Sequence, residues 1–479
     1  MKILYVASEC LPYASTGGLA DVLGSLPKAV ANALGKGNDV RVVIPMYTQV
    51  RDKFGDSLEC VLETTVWLGW RNQYCGVWKT TADGVTYYFI DNLYYFDRDR
   101  LYGSYDDGER FAFFSKAVME MMNMTGFYPD VLHANDWQSA LTVIFMKKKY
   151  GHIAEFKNMK AVFTIHNIDY QGVFDMKILG DIFELPSWER ETVEFNGAIN
   201  LLKGAIVCAD KVTTVSESYS KEILTEQYSA GLHKILRQAD EEGRLVGIVN
   251  GIDIDYYNPK TDPDIIKNYS AADLSAKKDN KAELQRICGL DVNPSVPVIC
   301  MVSRLAGHKG FDIVREAIED IINTTDIEFV LLGTGEEDLE NFFKDLAARH
   351  PGRVCAWLEY NKPVSKKFYA GADLFLMPSK SEPCGLAQMI ASRYATVPVV
   401  RACGGLNDTI HPFDEEKGTG NGFTFTDYSA EGLKNAVYNA LRTYSDSSKW
   451  DKVQKNAVSV DFSWKVSAKK YIAIYNDLV

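Results

Sequence analysis

Two paired glycines open the first loop that could hold a ligand. Ser15-Thr16-Gly17-Gly18-Leu19-Ala20-Asp21-Val22 follows the apolar run Lys2–Ala7 and leads into an apolar-periodic segment reaching about Leu34. Read as strand, turn and helix, this order lets a ligand approach the backbone closely at Gly17 and Gly18. The first helical amides and the positive end of the helix dipole then favour an anion such as phosphate. An ordinary strand-to-helix turn uses the same residues. A second loop, Ser303–Gly310, offers the planar fork of Arg304 and the mobile ammonium of Lys309, a pair suited to pyrophosphate. In Lys380-Ser381-Glu382-Pro383-Cys384-Gly385-Leu386, Glu382 projects from a turn set by Pro383 and opened by Gly385. The same residues would also serve as a capped helix start. Cys403-Gly404-Gly405-Leu406 repeats the paired-glycine theme.

Other chemistries have less to stand on. Gly333-Thr334-Gly335 begins like a dinucleotide fingerprint, but Asp338 stands where the third glycine belongs, and no P-loop occurs. Asp253-Ile254-Asp255 follows Asn250-Gly251 and reads as the start of a turn rather than a metal-binding pair. The seven histidines include no H-x-x-x-H pair, so neither zinc nor another metal is expected. Cys384 hints at thiol catalysis, although a lone cysteine is more often inert packing.

The loops need elements to hold them, and apolar runs alternate along the chain with helix-like segments. That alternation implies an α/β protein with parallel, doubly wound sheets. His133, Asp136, His166 and Asn250 are each expected just beyond a strand, where ligands gather in such sheets. Asp83-Gly84 between Gly76–Thr81 and Val85–Ile90 marks a hairpin. Pro27 should bend or break the first helix, and Asp91–Glu109 reads as a long functional loop. The polar, proline-bearing stretch 255–295 precedes a second strand–helix series. The expected domains are 1–250, 251–460 and a C-terminal helix, 461–479, packing across both. Net charge is −12 with no basic run longer than Lys147–Lys149, so nucleic acid is not an expected partner. There is no 18-residue apolar run and nothing like a signal peptide, so neither a membrane span nor export is expected. Nine dispersed cysteines without C-x-x-C pairs suit reduced thiols in a cytoplasm.

Seven of these stretches, in order, resemble the bacterial glycogen synthase and plant starch synthase family: Thr16–Val22, His133–Trp137, Thr164–Asn167, Asn250–Asp253, Ser303–Gly310, Glu382–Leu386 and Gly404–Leu406. The resemblance implies a GT-B fold, two Rossmann-like domains closing on a nucleotide sugar. It implies transfer of glucose from ADP-glucose to the non-reducing 4-hydroxyl of an α-1,4-glucan or maltooligosaccharide, with retention, no metal and no cofactor. Glu382, His166, Arg304, Lys309 and Asp136 are then the catalytic set, with Glu382 and His166 on the sugar. Ser15, Thr16, Gly17, Gly18, Asp21, Asn250, Tyr360, Cys384, Gly385, Leu386, Gly404 and Gly405 are the substrate-binding set, Tyr360 stacking on adenine. The family commonly has lysine where this chain has Ser15, and a hydroxyl cannot supply that cation's charge to the diphosphate or the acceptor. Ile390 stands where the wider superfamily often has glutamate, which favours front-face attack over a double displacement. The alternatives are a same-fold transferase with UDP-glucose or another acceptor, and a catalytically weak glucan-binding protein.

Overall fold

A computed structural model describes residues 1–359 and 361–479. The chain divides into two units, Met1–Gly251 with Trp464–Val479, and Ile252–Ser463.

The first unit holds strands β1 (Lys2–Val6), β2 (Asp39–Pro45), β3 (Glu59–Leu68), β4 (Arg71–Ala82), β5 (Val85–Asp91), β6 (Val131–Asn135) and β7 (Lys160–Ile165). The short strands β8 (Val173–Phe174), β9 (Glu194–Phe195) and β10 (Ala198–Asn200) pair separately, before β11 (Lys211–Thr214) and β12 (Leu245–Gly247). The main sheet runs β12-β11-β7-β6-β1-β2-β5-β4-β3. It is parallel from β12 to β5, and the expected hairpin adds β4 and β3 antiparallel at one edge. The apolar β1, with Ile3–Val6 wholly buried, fills its middle, as a strand covered on both faces must.

The second unit contains β13 (Val298–Val302), β14 (Glu328–Leu332), β15 (Val354–Trp357), β16 (Leu374–Met377), β17 (Val397–Arg401) and β18 (Phe423–Phe425). Its sheet order is β15-β14-β13-β16-β17-β18, parallel throughout. Each unit has its own apolar core. Among the parallel strands of each sheet, the direction of strand addition reverses once, between β1 and β6 and between β13 and β16. A crevice opens beyond the carboxyl ends of the strands at such a reversal.

Three expectations change. The helix Gly18–Leu34 continues through Pro27. Its buried stripe, including Leu19, Leu23, Leu26 and Val30, packs inward and outweighs the single lost N–H bond. Asp91–Glu109 is not one long loop, because Leu93–Phe96 forms a helical turn capped by Asn92 and a long helix begins at Asp107. The terminal helix, Trp464–Leu478, belongs to the first unit and contributes Trp464, Ala468, Tyr471, Ile474 and Tyr475 to its core.

Candidate active site

Within the first unit, the site residues converge on the β1/β6 reversal. Glu9, just past β1, is only 3% exposed. Its carboxylate turns back onto the glycine loop. Oε2 accepts from the amides of Thr16 and, at 3.2 Å, Gly17, while Oε1 accepts from the hydroxyls of Thr16 and Tyr102, both at 2.7 Å. Two amides of the expected phosphate loop are therefore already bonded to a carboxylate of the protein itself. The glycines are bare for another reason than packing: a Cβ at Gly17 or Gly18 would meet no atom within 4 Å. Ser15 is exposed beside them, and Asp21 lies half-buried in the first helical turn.

Asp136 sits at the end of β6 with φ of 57°, a left-handed conformation that costs energy outside glycine. The kink aims its carboxylate at the amide of His166, 2.8 Å away at the end of β7. Burial pushes the Asp136 carboxyl up to about 7; the amides of His166 and Asn167 pull it back, and the charge of Glu9 raises it further. His166 Nε2 lies 3.0 Å from Asn135 Oδ1. Asn135 spends its amide N–H groups on the carbonyls of Val6 and His133, so its oxygen accepts and His166 Nε2 carries the proton. Burial lowers His166 to about 3. The imidazole is thus neutral, with Nδ1 as an acceptor.

His133 does not reach this crevice. It lies inside β6, fully buried, held by Tyr475 at 2.7 Å and Thr164 at 2.6 Å. Position along the strand explains the difference: His133 shares a face with Asn135 but lies two residues inside β6, while Asn135 ends the strand and Asp136 follows it. Asn250 is buried, and its Oδ1 has no hydrogen-bond partner among the described residues.

Within the second unit, the β13/β16 reversal gathers a second group. Lys309 Nζ lies 2.7 Å from Glu382 Oε2, and the Ser379 hydroxyl donates to the same oxygen at 3.0 Å. Both contacts use Oε2, so Oε1 points outside them. Lys309 keeps two of its three ammonium protons for other acceptors. Arg304 is exposed nearby in sequence, on the same β13 loop. The loops are tied together by Lys380 N–H donating to His308 O at 2.9 Å.

The second pair of glycines has a packing role that sequence reading assigned to phosphate. Gly404, at φ 44°, would place a Cβ 2.0 Å from Glu382 O, and one on Gly405 would lie 2.2 Å from Cys384 O. Gly405 N–H donates to Glu382 O at 3.1 Å. These glycines let β17's loop press against the Glu382 turn and fix it. Gln388 adds bonds from Nε2 to Cys384 O, Gly385 O and Thr409 Oγ1 at 3.0–3.1 Å. Cys384 is buried, Gly385 takes φ of 73°, and Leu386 precedes the helix Ala387–Arg393. Tyr360 lies outside the described residues.

Sequence reading missed Glu9, Asn135, Ser379 and Gln388. Only Glu9 carried a signal: a carboxylate at the end of a buried strand must find donors.

Comparison with known proteins adds a family to this geometry. Residues 2–238 match the starch synthase catalytic domain, and residues 289–457 match glycosyl transferases group 1. The chain is 46% identical to the glycogen synthase of Ligilactobacillus salivarius over the whole of both chains. It is 43% identical to that of Bacillus subtilis, over 100% of this chain and 98% of the relative. This chain belongs to the glycogen synthase family. Among solved structures, the catalytic domain of starch synthase IV from Arabidopsis thaliana, bound to ADP and acarbose, superposes with a TM-score of 0.89. That match has 32% identity and covers 99% of each chain. A sucrose-phosphate synthase from Thermosynechococcus elongatus, 16% identical with a TM-score of 0.61, shares the fold. The fold is GT-B, and the protein is a glycosyltransferase. In this glycogen synthase family member, each unit gathers its own group of polar residues at the reversal point of its own sheet.

Proposed function

We propose that this glycosyltransferase moves glucose from ADP-glucose to the non-reducing 4-hydroxyl of an α-1,4-glucan, with retention and without a metal. The observation that carries the reading is the 0.89 TM-score, over 99% of the chain, to a starch synthase that holds ADP and acarbose. The arrangement of the second unit supports it. Breaking the glycosyl–phosphate bond leaves negative charge on the diphosphate, and preorganised cations lower that barrier most where they need not move. Lys309 is held by Glu382 with two protons free, and Arg304 is exposed on the same loop. Glu382 Oε1 is the acceptor for glucose hydroxyls. Ile390, buried in the helix after Glu382, offers no second carboxylate there, so the leaving phosphate takes the incoming hydroxyl's proton in a front-face attack. His166, neutral, accepts a sugar hydroxyl through Nδ1. The nine cysteines, none joined in a disulfide among the described residues, accord with a cytosolic enzyme.

The test is glucose transfer to a maltooligosaccharide from ADP-glucose and from UDP-glucose, each with EDTA. ADP-glucose should be the better donor, and EDTA should leave the rate unchanged. Loss of activity in EDTA overturns the metal-free mechanism, and an accumulating covalent glucosyl-enzyme overturns front-face attack. No transfer from any nucleotide sugar favours a glucan-binding protein.

A further inference from the structure

A buried carboxylate is costly unless its oxygens are bonded, and Glu9 is fully supplied. Its four donors come from the exposed crown of the glycine loop and from Tyr102, which is itself bonded to Ser8 at 2.7 Å. Successive backbone amides converging on one anion form a nest, the arrangement by which loops seize phosphates. Here the nest is filled from within. A Cβ on either glycine would meet open space, so side-chain packing does not hold the loop, and the bonds to Glu9 tie Thr16 and Gly17 to the end of β1. The same carboxylate acts on Asp136, and this chain has Ser15, not a lysine, to set against its charge.

We propose that Glu9 is a positioning residue of this crevice: as an internal anion in the Thr16–Gly17 nest, it fixes the glycine loop. The proposal rests on the transferase reading above. It follows that a bound diphosphate is denied the Thr16 and Gly17 amides. Of the first amides of the helix that begins at Gly18, that of Ala20 is bonded to Gly17 O at 3.2 Å, which leaves those of Gly18 and Leu19 to it among the described residues. Asp136 is faced by Glu9 from the β1 loop, by the His166 and Asn167 amides from the β7 loop, and by Tyr219 from the helix Glu217–Glu222. Glu9 is faced by Tyr102 and Tyr47, the latter beside the Arg110–Asp107 pair. With Glu9 as the charged group acting on Asp136, its neutralisation makes Asp136 lose its proton at lower pH.

Glu9→Gln keeps the shape and an accepting oxygen while removing the charge. The expected result is an acid limb of kcat against pH moved down by roughly half a unit to one unit, with a severalfold lower KM for the nucleotide sugar. Thr16→Val, which removes one donor but leaves the charge, should not move the limb downward. A purely structural role predicts a lower Tm in Glu9→Gln with the limb in place. Two readouts need no turnover: carbon-13 titration of the Asp136 carboxyl, which should shift down in Glu9→Gln, and amide exchange at Thr16 and Gly17, which should quicken at least about tenfold in Glu9→Ala as the bonds are lost. If the wild type transfers no glucose but both readouts move, the proposed function falls and the role of Glu9 stands. If the wild type transfers glucose and neither readout moves, Glu9 is not a positioning residue.

Discussion

At the scale of single residues, the site is a set of charges held in unfavourable places by specific partners. Asp136 is the clearest. Its left-handed backbone and its burial both cost stability, and its carboxyl is pushed from 3.8 up to about 7. Because the folded state holds that proton more tightly than the unfolded chain, stability from this group is present below about pH 4 and is lost as pH rises toward 7. Asp136→Asn removes the penalty while keeping an oxygen for the His166 amide. At pH 8 it should raise stability by on the order of 1–2 kcal/mol, read by urea melts, with no gain at pH 4. Glucose transfer should fall sharply, the usual exchange of activity for stability at a strained site. If Asp136→Asn were no more stable than the wild type at pH 8, the carboxylate would be well solvated in the fold. Lys309 and Glu382 illustrate the opposite arrangement, in which two groups expected to bind different parts of a donor also bind each other.

Elements matter through what they carry across the sheet. The terminal helix is tied to the first unit by a buried chain of hydrogen bonds. Thr213 meets Thr164 at 2.6 Å, Thr164 meets His133 at 2.6 Å, His133 meets Tyr475 at 2.7 Å, and Tyr475 meets Tyr5 at 2.9 Å. This chain crosses β11, β7, β6 and β1, and the last three are the strands whose ends lead to His166, Asp136 and Glu9. Removing one member strands its neighbours without partners, which costs more than the bond itself. Tyr475→Phe should therefore lower stability by about 2 kcal/mol, measured in denaturant melts. Since burial keeps His133 neutral down to about pH 3, that loss should be the same at pH 6 and pH 8. A loss that grew between those pH values would show that His133 titrates within that range.

For the molecule as a whole, chain order and unit membership differ. The last sixteen residues, Trp464–Val479, return to the first unit after the chain has built the second. Cutting the chain after Ser463 removes four large aromatic or aliphatic side chains from that core, each contributing about 1.5–3 kcal/mol. Their sum rivals the roughly 5–15 kcal/mol of a whole domain. The truncated protein should lose the folded first unit, seen as new protease-sensitive sites within 1–251, while 252–463 keeps its own core. Survival of the first unit's protection would mean that the terminal helix is dispensable. The sequence by itself determined the alternation of strands and helices, the hairpin at Asp83-Gly84 and the loops at strand ends. Apolar periodicity, turn chemistry and glycine pairs are local, so they can be read along the chain. It also determined the family, because seven motifs in order leave few other readings. Only the tertiary structure decided which partners those motif residues have. Gly17 and Gly18 face open space while Gly404 and Gly405 are demanded by packing, a distinction invisible in two identical dipeptides. His133 belongs to the core although its place at a strand end suggested the crevice, and Glu9, which lies in none of the motifs, belongs to the crevice. Long-range contacts assign those roles, since a side chain's charge and reach are written in its type but its neighbours come from segments as much as 470 residues away.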